Sequence, residues 1–265
     1  MGISYASLVE SIEVIAPPFL MEEWDNSGIQ INASNRDFEK VMVALEIRDD
    51  VIQEAILNKV DLIITHHPLI FREINQINID DAVGRYIDNL VRNNISVYSA
   101  HTTFDKAIGG NNDYLIGLIH LKMSRKVGTG NFGEFGIGRL IELKTPISLD
   151  SLTSVVKEGL MIPAIEIKKV GEAGKAIKKI GICSGSGASL INDALKNECD
   201  CLITGDIKYH EAQYAREMGL CLIDAGHYNT EKIFSANFAE KLNKLTSNKI
   251  IIIESKININ PFGNY

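Results

Sequence analysis

Nothing in the sequence approaches the run of ~20 apolar residues that spans a bilayer, which excludes a helical membrane protein. The opening Met1-Gly2-Ile3-Ser4-Tyr5-Ala6 lacks the basic stretch and continuous apolar segment of an export signal, so a cytoplasmic location is expected. Cysteine is scarce: Cys183, Cys199, Cys201 and Cys221 form no CxxC and lie in apolar stretches. They read as reduced core thiols, which excludes a disulfide frame or a structural zinc knot. There is no GKS or GKT phosphate loop, which removes ATP-driven chemistry. Positive charge is in deficit, 27 Lys plus Arg against 34 Asp plus Glu, for a formal net charge of -7. That field repels polyanions, so duplex nucleic acid is not an expected partner. The basic segment at Lys168, Lys169, Lys175, Lys178 and Lys179 has no interleaved aromatic residues and reads as a solvated face. What remains is globular. With 265 residues, 45% hydrophobic and 23% charged, the chain can hide roughly three quarters of its unfolded surface in one large core or two modest ones.

Short β-branched runs alternate with amphipathic stretches, the pattern of an α/β protein with largely parallel strands. The runs predict strands at Lys40–Glu46, Asp61–Thr65, Ile95–Ser99, Gly138–Leu143, Ala164–Val170, Lys178–Cys183, Asp200–Thr204, Leu220–Asp224 and Lys249–Glu254. Helices are expected at Tyr5–Ile15, Asp49–Asn58, Asp80–Asn93, Leu149–Gly159, Ala188–Asn197, Tyr209–Met218 and Glu231–Leu245. The chain also repeats itself. Val51–Thr65 aligns without gaps on Leu190–Thr204, sharing Ala, Asn, Asp, Ile and Thr at matching places. At the same offset Lys40-Val-Met-Val-Ala falls on Lys179-Ile-Gly-Ile-Cys, so a strand, helix and strand unit recurs. Downstream, each copy sets a carboxylate four residues after a histidine: His101 and Asp105 in the first, His227 and Glu231 in the second. The copies predict two similar lobes joined by the glycine-dense Gly128–Gly136, expected to be a mobile loop. A small strand-helix-strand insertion at about 138–170 precedes the second copy. Right-handed crossovers collect strand C-termini at one edge of each sheet, where ligand sites form.

Ile63-Ile64-Thr65-His66-His67-Pro68 ends a hydrophobic strand with two imidazoles, and the proline holds His67 extended. On a regular strand adjacent histidines point to opposite faces, but at a strand end the backbone can turn both toward one cleft. Imidazole suits Zn, Fe, Mn and Ni, and a carboxylate partner balances the ion's charge. A lone histidine is ordinarily a satisfied structural residue, and an isolated His-x-x-x-Glu is often a helix-start salt link. Here four of six histidines, His66, His67, His101 and His227, fall at three strand ends, which favours a metal site. If Asp105, and His227 with Glu231, converge on His66 and His67, the ligands are too many for one tetrahedral ion with an open position. Two ions bridged by a carboxylate fit better. His101 can orient a ligand, shuttle protons or satisfy backbone groups. Cys183-Ser-Gly-Ser-Gly187-Ala-Ser189 can offer amide N–H groups to a phosphate or form a plain tight turn. Thr204-Gly-Asp206-Ile-Lys-Tyr-His210-Glu211 occupies the repeat position of the double histidine, which makes Asp206 and His210 candidate cleft-facing groups. No second histidine follows at metalloprotease spacing.

Trp24-Asp-Asn-Ser-Gly28, Thr65-His-His-Pro-Leu-Ile-Phe71, Ser99-Ala-His-Thr-Thr-Phe-Asp105 and Gly226-His-Tyr-Asn-Thr-Glu231 together resemble the Nif-three-like dinuclear metal proteins, the GTP cyclohydrolase 1 type 2 homologues. The motifs span nearly the whole chain. Glu46, in Ala44-Leu-Glu46-Ile, stands where the family pattern carries Asp. The resemblance implies that His67, Asp105 and Glu231 hold one metal, that His66 and His227 hold the other, and that Glu231 bridges them. It implies two interlinked, internally repeated α/β lobes, 1–127 plus 222–265 and 128–221, the C-terminal tail returning to the first. It further implies a toroidal homohexamer. The expected activity is a hydrolase using two divalent ions (Zn, Fe or Mn) on a nucleotide or related heterocycle, with His101 or His210 moving protons as catalytic groups. The alternatives are a non-catalytic metal-binding regulatory or interaction protein, and a phosphoester hydrolase using the same ions.

Overall fold

The computed structural model describes residues 2–33, 37–119, 123–126, 130–163 and 165–262, the segment 123–126 by its backbone alone. In chain order the elements are α1 (Tyr5–Ile15), β1 (Gly28–Ile31), β2 (Lys40–Ala44), α2 (Asp49–Leu57), β3 (Leu62–Thr65), α3 (Ala82–Arg92), β4 (Ser96–Ser99) and α4 (Thr102–Lys106). There follow α5 (Asn111–Leu118), β5 (Met123–Lys126), β6 (Arg139–Ser148), α6 (Leu149–Gly159), β7 (Lys168–Val170), β8 (Ala176–Ser186) and α7 (Ile191–Lys196). The chain ends with β9 (Cys201–Gly205), α8 (Tyr209–Glu217), β10 (Cys221–Asp224), α9 (His227–Glu231), α10 (Phe234–Leu245) and β11 (Ile251–Glu254). It folds as two compact units, Met1–Ala107 with Phe234–Tyr265, and Ile108–Ile233. These boundaries lie about twenty residues before the first expected junction at 127/128 and about a dozen after the second at 221/222, because α5 belongs with the second unit and α9 with its sheet.

Among the described residues the first unit holds a five-stranded sheet ordered β1-β4-β3-β2-β11, and the second a six-stranded sheet ordered β5-β6-β8-β9-β10-β7. Each is parallel at its centre and takes one antiparallel strand beside the third repeat strand, β1 against β4 and β7 against β10. The internal repeat is therefore structural. Val41 pairs with Leu62, and at the same offset Ile180 pairs with Cys201. The helix-to-strand turn passes through a left-handed residue in both copies, Lys59 (φ 56) and Glu198 (φ 54). One aspartate then anchors each unit: Asp61 Oδ2 accepts the Glu39 and Lys40 amides (2.8 and 2.9 Å), and Asp200 Oδ2 accepts those of Lys178 and Lys179 (2.8 and 2.9 Å). Replacing Asp61 or Asp200 with Ala leaves two strand-entry amides without acceptors. The expected cost is about 1–3 kcal/mol each, larger at the more buried Asp61, and urea denaturation checks it.

Local chemistry sets the helix starts. Ser4 Oγ accepts the Ser7 amide, Asp81 Oδ1 that of Gly84 and Ser148 Oγ that of Ser151, so α1, α3 and α6 each begin on a side-chain cap. In the second unit alternate strand residues supply both faces. Ile141, Ile180, Ile182, Cys201, Ile203, Cys221 and Ile223 pack with α6 through Leu149, Leu152 and Val156. On the other face Leu140, Cys183, Leu202 and Leu222 meet Ile191, Ala194 and Ala215 of α7 and α8. Both faces covered is the condition under which a parallel sheet is stable. The four cysteines are buried, reduced thiols, and burial pushes Cys199 up to about 12.

Several expectations are corrected. The glycine-dense joint is not a mobile loop where it is described: Gly130–Phe132 is a turn of 3₁₀ helix, Phe132 is buried, and Asn131 Nδ2 donates to Asp193 (2.7 Å). It belongs to the second unit. Positions 128 and 129 of that segment, and Ala164 of the strand expected over 164–170, lie outside the described residues, and the strand is confined to β7. The helix expected over 231–245 begins three residues later as α10, and Glu231 instead closes the short α9. The inserted strands β6 and β7 join the sheet on opposite flanks of the repeat strands. Among the described residues no helix is long and apolar enough to cross a membrane.

Candidate metal centre

The first group of donors is built where β3 ends. Thr65 Oγ1 donates to the His67 carbonyl (2.8 Å), and the His66 and His67 amides both donate to the Leu45 carbonyl (3.1 and 3.0 Å). This turn brings the two imidazoles to one side, their ring centroids 5.2 Å apart. His66 is fully buried and its Nδ1 faces the Ala100 carbonyl at 3.1 Å. A carbonyl has no proton to give, so Nδ1 carries the hydrogen and Nε2 the lone pair. That Nε2 faces Oδ1 of the buried Asp105 at 3.7 Å. His67 Nδ1 lies 3.3 Å from Glu46 Oε2, so the glutamate that departs from the family pattern supports the histidine it faces.

His101 joins this group. Its ligand nitrogen and those of His66 and His67 lie within 4.8 Å of one another. It caps the short α4, whose first turn carries Asp105. Its Nδ1 donates to Asp25 Oδ1 at 2.8 Å and its amide to Ser27 Oγ at 3.1 Å. Asp25 Oδ2 also accepts from Ser27 Oγ (2.7 Å), Thr102 Oγ1 (2.5 Å) and the Thr102 amide (3.2 Å). Burial works to raise the Asp25 carboxyl, but the hydrogen bond and charge of His101, with bonds from Thr102 and Ser27, hold it well below the usual carboxylate range. A folded-state value below the unfolded one gives stability that is present in full above about pH 4 and is lost as the pH falls from there through the folded value. Asp25→Asn is therefore expected to lower stability at pH 7 by about 2–3 kcal/mol, and the gap to wild type should only begin to narrow below about pH 4 and close as the pH falls through the folded value, as read by urea denaturation across the acid range.

In the second unit the donors stand where β10 enters α9. His227 Nδ1 donates to Asp206 Oδ2 at 2.7 Å, and its Nε2 lies 2.9 Å from Oε2 of the buried Glu231. Asp206 takes the repeat position of His67, so the second copy spends on support the place that the first gives to a donor. Thr230 Oγ1 accepts the Gly185 amide (2.9 Å) and fixes the turn against β8. Gly185 has φ +65, and a Cβ there would overlap Glu231 Oε1. The Gly185, Gly187 and Ser184 amides are taken by Thr230, Thr204 and Asn112. The glycine segment is thus a seat for the Glu231 carboxylate and not a phosphate cradle. His210 is not gathered with these groups: it stands on the exposed first turn of α8, its ring edge-on to Tyr209 at 5.2 Å.

In each unit, imidazole Nε2 atoms whose Nδ1 atoms are held by oxygen face buried carboxylates. Imidazole nitrogens and carboxylate oxygens set together suit a cation, and the pattern of supporting oxygens is that of metal-binding histidines, so the donors fit a divalent ion. Sequence reasoning did not pair Asp25 with His101, and it read Gly185 as part of a phosphate-binding or tight-turn segment and not as the seat of Glu231. The signal for Asp25 was the Trp24-Asp-Asn-Ser-Gly28 motif, and its partner lies 76 residues away.

Fold and donors together define an α/β protein with a candidate metal-binding site. Residues 3–261 match the DUF34/NIF3 (NGG1p interacting factor 3) family, and the chain belongs to it. It is 35% identical over 268 residues to a "GTP cyclohydrolase 1 type 2 homolog" of Clostridium acetobutylicum, covering 99% of both chains. A Helicobacter pylori protein named "GTP cyclohydrolase 1 type 2" is 34% identical, covering 94% of this chain and 96% of that one. Among solved structures, a Bacillus cereus protein related to NIF3 superposes with a TM-score of 0.88 at 22% identity, covering 100% of each chain.

Proposed function

We propose that the protein is a dinuclear divalent-metal-dependent hydrolase of the GTP cyclohydrolase 1 type 2 kind, acting on a nucleotide or related heterocycle. The observation that carries this reading is the pairing of an imidazole Nε2 with a buried carboxylate in both units, supported by the names of the relatives. His67 and Asp105 would hold one ion, His66 and His227 the other, with Glu231 shared between them. Bound divalent ions (Zn, Fe or Mn) would supply Lewis acidity, bringing the pKa of water toward neutrality and polarising the carbon or phosphoryl group attacked.

The chain's own contribution is proton transfer and orientation. His101, held through Nδ1 by Asp25, presents Nε2 to the donor group and can take a proton from water or return one to the leaving nitrogen. His210, exposed on α8, is the less favoured proton carrier, since Tyr209 is the ring it meets. By family resemblance the protein would act in the cytoplasm as a homohexamer, which light scattering tests.

The deciding experiment loads purified protein with Zn, Fe or Mn in turn, measures metal per chain, and follows purine absorbance with a panel of nucleotides that includes GTP. Turnover lost in His67→Ala supports the enzyme. Two ions per chain with no turnover of any nucleotide favours a metal-binding regulatory protein, and release of phosphate with the ring intact favours a phosphoester hydrolase.

A further inference from the structure

We propose that Trp24 and Phe71 form, with the edge of His101, a binding corner for a planar heterocyclic ring, the nucleobase part of the substrate. The inference rests on the nucleotide reading above and adds the residues that would recognise the ring. Trp24, the sole tryptophan, is 56% exposed and Phe71 is 48% exposed. Their centroids are 6.3 Å apart, and each stands edge-to-face with His101, at 5.9 and 6.2 Å. The interplanar angles of 65°, 76° and 83° make three walls of a corner. A flat ring laid on one wall turns its edges to the other two, which is the arrangement aromatic pairs prefer.

The exposure is built in. The Glu22 amide donates to Thr102 Oγ1 (3.1 Å), Lys106 Nζ pairs with Glu22 (2.9 Å), and Asp25 is bound to His101 and Thr102. On the other side Asn26 Nδ2 donates to the Ile70 carbonyl (2.5 Å), while Gln30 Oε1 accepts the Ile70 amide (3.0 Å) and Gln30 Nε2 donates to the Asn26 carbonyl (2.8 Å). Trp24 and Phe71 are therefore carried by segments tied to α4 and to each other, so the backbone beneath both rings is held although the rings are not buried. Two large aromatic rings left partly in water beside a cluster of imidazoles mark a recognition surface. Glu22 is paired with Lys106, and Glu23 and Glu73 flank the rings in sequence against Arg72, so no excess of positive charge is left for phosphates and the corner suits the uncharged ring of a nucleotide.

Because Trp24 is the only tryptophan, its emission in the metal-loaded protein reports on this corner directly. Guanosine is expected to quench it saturably, and inorganic triphosphate is not. Phe71→Ala should weaken guanosine binding by about fivefold to a hundredfold, the range for removing one base-stacking ring. By calorimetry Trp24→Ala should do the same, and Trp24→Phe should restore affinity to within about threefold. Circular dichroism of each variant separates loss of the corner from loss of the fold. Quenching by tetramethylammonium in place of guanosine would replace the assignment with a cation cage, and quenching by triphosphate alone would replace it with a phosphate site. An emission that answers to no probe would overturn it. Guanosine binding that depends on Phe71, without turnover of any nucleotide, would leave the corner standing and remove the hydrolase; turnover with a silent Trp24 would do the reverse.

Discussion

Glu231→Gln is expected to abolish tight binding of at least one metal ion per chain and to lower any hydrolytic turnover by a factor of about a thousand or more. The substitution keeps the size of a side chain seated on Gly185 and removes only its charge, so it tests the donor and not the packing. Glu231 is 4% exposed and its Oε2 lies against His227 Nε2. A neutral amide there cannot balance a divalent cation, and its NH₂ group would point a proton at a nitrogen or an ion. Elemental analysis reads the stoichiometry. Melting curves give a second readout: an ion present at about a thousand times its dissociation constant stabilises the native state by about 4 kcal/mol. Chelation should therefore lower the melting temperature of the wild type strongly and that of the variant little. Unchanged stoichiometry would remove Glu231 from the ligands.

Gly185→Ala is the second large effect, reached through the backbone. Its φ of +65 is left-handed, which costs an L-residue roughly 1–2 kcal/mol. The new methyl would also occupy the position of Glu231 Oε1. The carboxylate must then leave its seat, since the Gly185 amide is tied to Thr230 and β8 cannot retreat easily. A loss of about 2–3 kcal/mol in stability and a fall of 10- to 100-fold in metal affinity are expected, the latter matching the removal of a supporting contact. Urea denaturation and metal titration measure the two separately. Full metal affinity in the alanine variant would show that the carboxylate has another place to stand.

The parts legible in sequence were those that depend on local pattern or on the chemistry of single residues. Parallel strands such as β3 and β9 are runs of Leu, Ile and Thr between helices of clear periodicity, and their repeat survives as an identical register. The double histidine and the two His-x-x-x-acid elements are unusual enough to be seen without a fold. Helices α4 and α9 span five residues each, too short for a hydrophobic period, and β1 is a four-residue antiparallel strand set by its pairing with β4. Asp25 could not be paired with His101 by spacing, because β1 and the first copy of the internal repeat lie between them. The loop at 183–189 carried two readings until Thr230, Thr204 and Asn112 were seen to claim its amides. Its glycines suited a phosphate cradle and a tight turn alike, and only the fold shows that a carboxylate stands against Gly185.

Strand β11 lies parallel beside β2, although 126 residues of the other unit, Ile108–Ile233, are made between α4 and α10. In chain order the whole second unit is thus made before the first receives its last strand. Until residues 251–254 emerge, Lys40–Val43 present an open row of amides and carbonyls on an apolar ribbon, the kind of edge that recruits a neighbouring nascent chain. The pairing of β11 with β2 is what closes that edge, so the first unit's sheet depends on a segment made after the whole of the second unit.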